Sequence, residues 1–169
     1  ERDVLIIANR TSAGSETVDV LGTQILDEAD AIARFGRRAE WMALYRAYVL
    51  VDPTARIFGI AATESAGSAA AVDFTFATAA TAVNTVEITF MGEIAYASVA
   101  SGDSVTTIAT AVKNAINSAN QGNWMVTATN SSGVLTCTFS QLGPRGDLAI
   151  GSGASRGMRI RFLNTSATT

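Results

Sequence analysis

The chain has 169 residues, 48% of them apolar and 16% charged, with a formal net charge of −3 and no histidine. That length can bury one substantial core or two small ones, and the acidic balance gives no reason to expect nucleic acid as a partner. The missing imidazole removes Ser-His and Cys-His nucleophile pairs, the commonest general base near neutral pH and most zinc sites.

Charge is spread unevenly, and the unevenness suggests boundaries. Residues 1–64 hold seven Arg and ten Asp or Glu, residues 65–144 only Asp73, Glu87, Glu93, Asp103 and Lys113, and residues 145–169 four Arg against Asp147. The three zones carry −3, −3 and +3. Apolar runs are broken by Asp52, Glu64, Asp73 and Glu87 well short of a membrane span, so no membrane insertion is expected. The opening Glu1-Arg2-Asp3, without methionine or a signal-like apolar region, suggests a processed product or an excised fragment.

In chain order, Val4-Leu5-Ile6-Ile7-Ala8 is a continuous apolar run of the kind expected for a strand covered on both faces. A polar loop over 9–16 follows, and Val18, Val20 and Ile25 suggest a second extended segment. Asp27-Glu28-Ala29-Asp30 reads as a capped, acidic helix start, with Ile32, Ala33 and Phe35 facing inward until Gly36 stops the helix. A second helix shows the stripe Trp41, Leu44, Tyr45, Tyr48 and Val49 and ends at Asp52-Pro53. Ile57-Phe58-Gly59-Ile60 returns as a strand. The order β, β, α, α, β fits a small mixed sheet with helices on at least one face.

Ala66-Gly67-Ser68 reads as a flexible link. Val72, Phe74 and Phe76 alternate with polar residues, as do Val86, Ile88 and Phe90, and Met91-Gly92-Glu93 turns the chain into Ile94–Val99. Asp103 or Ser104 then caps an amphipathic helix of about four turns, whose apolar stripe is Val105, Ile108, Ala109, Val112, Ala115, Ile116 and Ala119. Beyond a break at Asn120–Gly122, Trp124, Val126 and Ala128 on one strand and Leu135, Cys137 and Phe139 on the next form the apolar face of a hairpin turned at Asn130-Ser131-Ser132-Gly133. Helix stripe and hairpin face match in length and are each unstable alone, so they pack on one another. Gly143-Pro144 closes this region. Met158, Ile160 and Phe162 alternate with arginines over Arg156–Leu163, a strand expected to rejoin the first zone, and Asn164–Thr169 reads as a frayed end.

The expected fold class is therefore α+β: a discontinuous α/β base domain over 1–66 and 152–169, with an α+β domain of strands, one long amphipathic helix and a hairpin inserted over 67–151.

Few motifs carry chemistry. Arg145-Gly146-Asp147 matches an integrin-type tripeptide, but Gly and Asp after Pro144 are ordinary turn residues. Gly151-Ser-Gly153-Ala-Ser-Arg-Gly157 has the wrong spacing for a phosphate loop and reads as a linker. Asn9, Asn130 and Asn164 open glycosylation-type triplets that recur by accident in a Ser/Thr-rich chain. Cys137 lies on an apolar strand face, where a buried inert thiol is expected. Asp27, Glu28 and Asp30 are explained by helix capping, and neither they nor Glu64 have a second acid placed for acid–base work. No catalytic, cofactor or metal site is expected. The least bland residues are Arg37 and Arg38 and then Arg156, Arg159 and Arg161, either solvated arginines or donors to an acidic partner surface.

Several phrases in order carry a family likeness: Asp27-Glu-Ala-Asp-Ala-Ile-Ala-Arg-Phe-Gly36, Trp41-Met-Ala-Leu44 with Asp52-Pro53, Ala66-Gly-Ser-Ala-Ala-Ala71, Ser101-Gly-Asp-Ser-Val-Thr-Thr-Ile-Ala109 with Ala115-Ile-Asn117, and Val126-Thr-Ala128 with Gly143-Pro-Arg-Gly-Asp147. Over most of residues 3–151 the chain resembles the contractile tail sheath proteins of Mu-like bacteriophages. It departs from them at Arg37-Arg38-Ala39, where the family has a glycine-serine step, and at Asp147, where the family has asparagine. The resemblance implies a structural virion protein, found in the phage tail and, during assembly, in the host cytoplasm. Its partners would be copies of itself and the tail tube protein. It also implies a central, protease-resistant body lacking the terminal arms by which sheath neighbours exchange strands, and so monomeric on its own. The first zone and the basic strand would make subunit contacts, and the second zone would face outward. The rival readings are another tail or baseplate protein or an adhesin using Arg145-Gly146-Asp147, and, a distant third, a histidine-free carboxylate enzyme using Asp27 or Glu64.

Overall fold

The computed structural model describes residues 2–64, 67–143 and 157–164. They form a mixed α+β protein, mostly strands, with three helices and three small sheets. Two compact units divide the chain, one from the first 66 residues and one from the rest.

In the first unit, β1 (Asp3–Asn9), β2 (Leu21–Ile25), α1 (Glu28–Phe35), α2 (Glu40–Val49) and β3 (Arg56–Ala62) follow the expected order. The sheet runs β1-β3-β2, with β1 parallel and β2 antiparallel to β3. Asp27 caps α1 through a 2.8 Å bond from the Asp30 N–H to Oδ1, and Gly36 ends it at φ 85°, a conformation open to glycine. The inward faces follow the expected stripes except at one position on each helix, with Ile32, Tyr48 and Val49 packed against the core. On α1 Ala31 and Phe35 are buried while Ala33 is exposed, and on α2 Trp41, Met42 and Tyr45 are buried while Leu44 is exposed. The cause is an aromatic stack on the sheet. Phe35 and Trp41 lie parallel with centroids 3.8 Å apart, Tyr45 continues the stack at 5.5 Å, and the Trp41 indole N–H donates to the Ile6 carbonyl at 3.1 Å. Gly59 of β3 makes room for it, since a Cβ there would sit 2.4 Å from Phe35 Cζ and 2.8 Å from Trp41 Cζ2.

The strand read as covered on both faces is covered on one. Register places Ile6 beside Gly59 and Ala8 beside Ala61 under the helices, whereas Leu5 beside Phe58 and Ile7 beside Ile60 lie on the opposite face. Leu5 is 49% and Ile7 59% exposed, because both helices pack on the same side of the sheet. Val18 makes only an isolated bridge to Ala61, so the second strand starts later than its apolar pattern suggested.

The second unit contains β4 (Ala69–Thr75), β5 (Asn84–Phe90), β6 (Glu93–Val99), α3 (Val105–Ser118), β7 (Val126–Ser131), β8 (Val134–Leu142) and β9 (Arg159–Phe162). Two antiparallel sheets, β4-β8-β7 and β6-β5-β9, share one core with α3. Met91-Gly92 and Ser132-Gly133 have positive φ at both positions, the geometry of tight two-residue hairpin loops. Ser104 caps α3, which buries Ile108, Ala109, Val112 and Ile116. The expected docking of helix on hairpin is found. The Asn117 amide donates to the Ala128 carbonyl at 2.8 Å and accepts from the Ala128 N–H at 2.9 Å, so α3 satisfies the backbone of edge strand β7.

The basic strand does not rejoin the first zone. β9 pairs antiparallel with β5, with Arg161 opposite Glu87 and Ile160 opposite Ile88, and residues 157–164 belong to the second unit. Its alternation is as read, but the apolar face it completes is the core that holds Val86, Ile88 and Phe90, with Met158 buried there. The discontinuous base domain is thereby replaced by two units that follow one another along the chain. Among the described residues no helix is long and apolar enough to cross a membrane.

Candidate interaction surfaces

The structure distributes the five singled-out arginines rather than gathering them. Arg37 and Arg38 lie between α1 and α2 in the first unit, and the Arg37 carbonyl accepts from Arg46 at 3.3 Å. Burial, then the neighbouring Arg37 charge, pulls the Arg38 guanidinium down from its ordinary value. Arg156 lies outside the described residues, as do the Arg145-Gly146-Asp147 turn and all but the last residue of the glycine-rich linker.

Arg159 and Arg161 stand on the outer face of the β6-β5-β9 sheet. Register aligns two rungs across it, Tyr96–Glu87–Arg161 and Ile94–Thr89–Arg159. Arg161 reaches Glu87 at 2.7 Å, yet its side chain stays 68% exposed while that of Glu87 is sunk to 17%. One contact leaves most of the five guanidinium donors facing outward. Tyr96 and Ile94, 57% and 53% exposed, complete a face that mixes aromatic, aliphatic and cationic side chains. The sequence concealed this pairing, because Tyr96 lies some sixty residues before the arginines and only the sheet register brings them together.

A second surface runs along β1. Among the described residues this strand has a neighbour on one side only. An open apolar groove beside it is formed with α2 by Leu5, Ile7, Leu44, Tyr48 and Val51. Of the other edge strands, β2 is short with an irregular register, β4 is bulged between Ala69 and Ala71, β9 is four residues long and arginine-rich, and the Asn117 amide of α3 takes up the backbone of β7. β1 has no proline, lysine or bulge, and its Asp3 is turned to Arg56 at 2.7 Å.

A third surface is the start of α1. Asp27, Glu28 and Asp30 crowd one helical turn beside Leu26, which is 81% exposed. Glu28 meets Arg46 at 2.8 Å, and Arg34 meets Glu16 and, at 3.6 Å, Asp30. Burial first, then the charges of Glu28, Asp27 and Asp30, push the Tyr45 phenol above its ordinary value, with Arg46 opposing.

The remaining chemistry is inward or isolated. Burial, then Asp73, pushes the Cys137 thiol up to about 12, which keeps it protonated and unreactive. Asp27 is engaged in capping. Glu93 accepts from the Trp124 indole and from Asn120 and so fixes the left-handed turn between α3 and β7. Among the described residues no three His, Cys, Asp or Glu side chains cluster as metal ligands. No protein-family model and no curated protein matches this chain.

Proposed function

We propose that the chain is the body of a contractile bacteriophage tail sheath subunit, which polymerises helically around the tail tube and shortens to drive the tube through a bacterial envelope. The observation that carries this reading is the unguarded β1 edge with its apolar groove. An extended strand from a neighbouring subunit could add to that edge, taking main-chain hydrogen bonds from β1 and placing alternate side chains against Leu44, Tyr48 and Val51. The uncovered Leu5–Ile7–Phe58–Ile60 face belongs to the same argument, since a monomer gains nothing from an apolar sheet face in water. Rigid bodies meeting through unlike surfaces build open helical arrays and can switch between two packings. The ordered phrases that resemble Mu-like sheath proteins are what favour this family over another self-assembling protein.

The test is negative-stain microscopy of the full-length parent subunit. Tubular polymers are expected. A monodisperse soluble parent under all assembly conditions would reject the reading. Proline at Ile7 in the parent should abolish tubes by blocking strand addition while leaving a folded second unit, read from the Trp124 emission.

A further inference from the structure

We propose that in this chain the open edge of β1 is taken by β1 of a second copy running antiparallel to it, a two-fold contact that joins the two three-stranded sheets into one; the proposal rests on the reading of β1 as a strand-accepting edge.

The ladder that β1 makes with β3 decides which of its main-chain groups face outward. The Arg56 N–H donates to the Arg2 carbonyl at 2.9 Å, and Asp3 stands opposite Arg56 in the parallel register. Bonding in such a ladder alternates along the strand, so Val4, Ile6 and Ala8 turn their N–H and C=O groups to β3, while Asp3, Leu5, Ile7 and Asn9 turn theirs to the open side. An incoming strand must present free groups at the same spacing.

β1 is itself such a strand. Turned about a two-fold axis at Ile6, it sets Leu5 against Ile7 and Asp3 against Asn9 of the second copy, and the whole of Asp3–Asn9 overlaps. Each of these is a mutually bonded pair, roughly eight main-chain hydrogen bonds in all. An axis at Leu5 or at Ile7 overlaps fewer residues, and an axis between two residues sets outward groups against inward ones.

The side chains and the charge agree with this register. Val4 and Ala8 of the second copy enter the groove beside Leu44, Tyr48 and Val51, and Leu5 and Ile7 carry the apolar Phe58–Ile60 face across the axis. From Val4 to Ala8 the strand is uncharged. Asp3 is held by Arg56 at 2.7 Å and meets Asn9 across the axis, so no like charges stand opposite one another. The strip is therefore complementary to itself, as a contact made by the same surface on both partners requires. The family likeness implies a lone monomer, whereas the edge argues for a dimer. A neighbour's strand would need the same main-chain groups, so the two occupants exclude one another.

The experiment is sedimentation velocity of this chain over a concentration series. Wild type should pass from monomer to dimer and no further. Ile7→Pro removes an outward N–H without touching the β3 ladder, and should weaken the dimer at least ~10-fold with an unchanged circular-dichroism spectrum. L5E/I7E sets like charges opposite one another on a face outside the core and should do the same. Oxidation reads the register. Copies carrying Leu5→Cys should cross-link to copies carrying Ile7→Cys, because the paired Cα atoms stand about 5.5 Å apart, and neither variant should cross-link to itself. A wild type that stays monomeric overturns the pairing, as does either disrupting variant dimerising like wild type, self-linking of a single cysteine variant, or a mixture that gives no link. The sheath reading is judged separately. A full-length parent that forms tubes keeps it even where this chain is monomeric, and a parent that forms none discards it whatever this chain does.

Discussion

The two units solve the same burial problem differently. The second closes its core from both sides, with two sheets and α3 contributing Ile88, Val112, Trp124, Leu135 and Cys137 to one interior, and its outer faces carry threonines, serines and arginines together with exposed Ile94 and Tyr96. The first stacks two short helices on one side of a three-stranded sheet and leaves Leu5, Ile7 and Leu21 in water. A sheet covered on one face gains stability from one interface only, so the first unit leans on fewer contacts and retains apolar surface for something else. The contrast predicts a fragile first unit and a sturdier second one.

The chain's two tryptophans allow the comparison to be broken, because Trp41 reports the first unit and Trp124 the second. Phe35→Ala removes the base of the aromatic stack. It should cost about 3–5 kcal/mol and unfold the first unit, read as loss of the Trp41 signal in a Trp124→Phe background, while Trp124 in the companion Trp41→Phe background keeps its native transition. Simultaneous loss of both signals would show one cooperative body and end the contrast. Gly59→Ala tests the same stack from below. Overpacking against Phe35 and Trp41 should lower the urea midpoint of the first unit by the equivalent of about 1–3 kcal/mol, with no shift in the second.

A pH titration tests the second unit through its buried thiol. With its folded pKa raised to about 12, Cys137 stays neutral in the native state while an unfolded thiol ionises near its ordinary value. Below that ordinary value both states hold the proton and the thiol contributes no pH dependence. Above it the unfolded state loses the proton first, so stability of the second unit falls with rising pH by up to about 1.4 kcal/mol per unit until about pH 12. Cys137→Val should remove that slope, and the native thiol should resist a disulfide reagent until the unit unfolds. The smallest effect belongs to the exposed sheet face. Leu5→Thr with Ile7→Thr should change the stability of the isolated chain by no more than about 0.5 kcal/mol, since both side chains are already half in water. A large loss would mean that this face is part of the core after all.

Local patterns were legible wherever local physics sets them. The Asp27 cap, the Gly36 stop, the α3 stripe, the Met91-Gly92 turn and the hairpin with Cys137 inward all follow from spacing within a dozen residues, and the structure reproduces them. The α2 stripe held except that Met42 is buried in place of Leu44, which is equally apolar. Stacking of Trp41 on Phe35 over Gly59, a contact between residues distant in sequence, chose between them.

The sequence by itself determined the elements, their order and the absence of histidine chemistry, because periodicity, capping and composition act along the chain. Only the tertiary structure decided which side of each element is covered and which strands are neighbours. An apolar run such as Val4–Ala8 reads the same whether one face or two will be buried, and β9 alternates identically whichever sheet receives it. Pairing is settled by the free energy of closing a shared core. That is how Arg159 and Arg161 came to stand beside Tyr96, on a face that no local pattern describes.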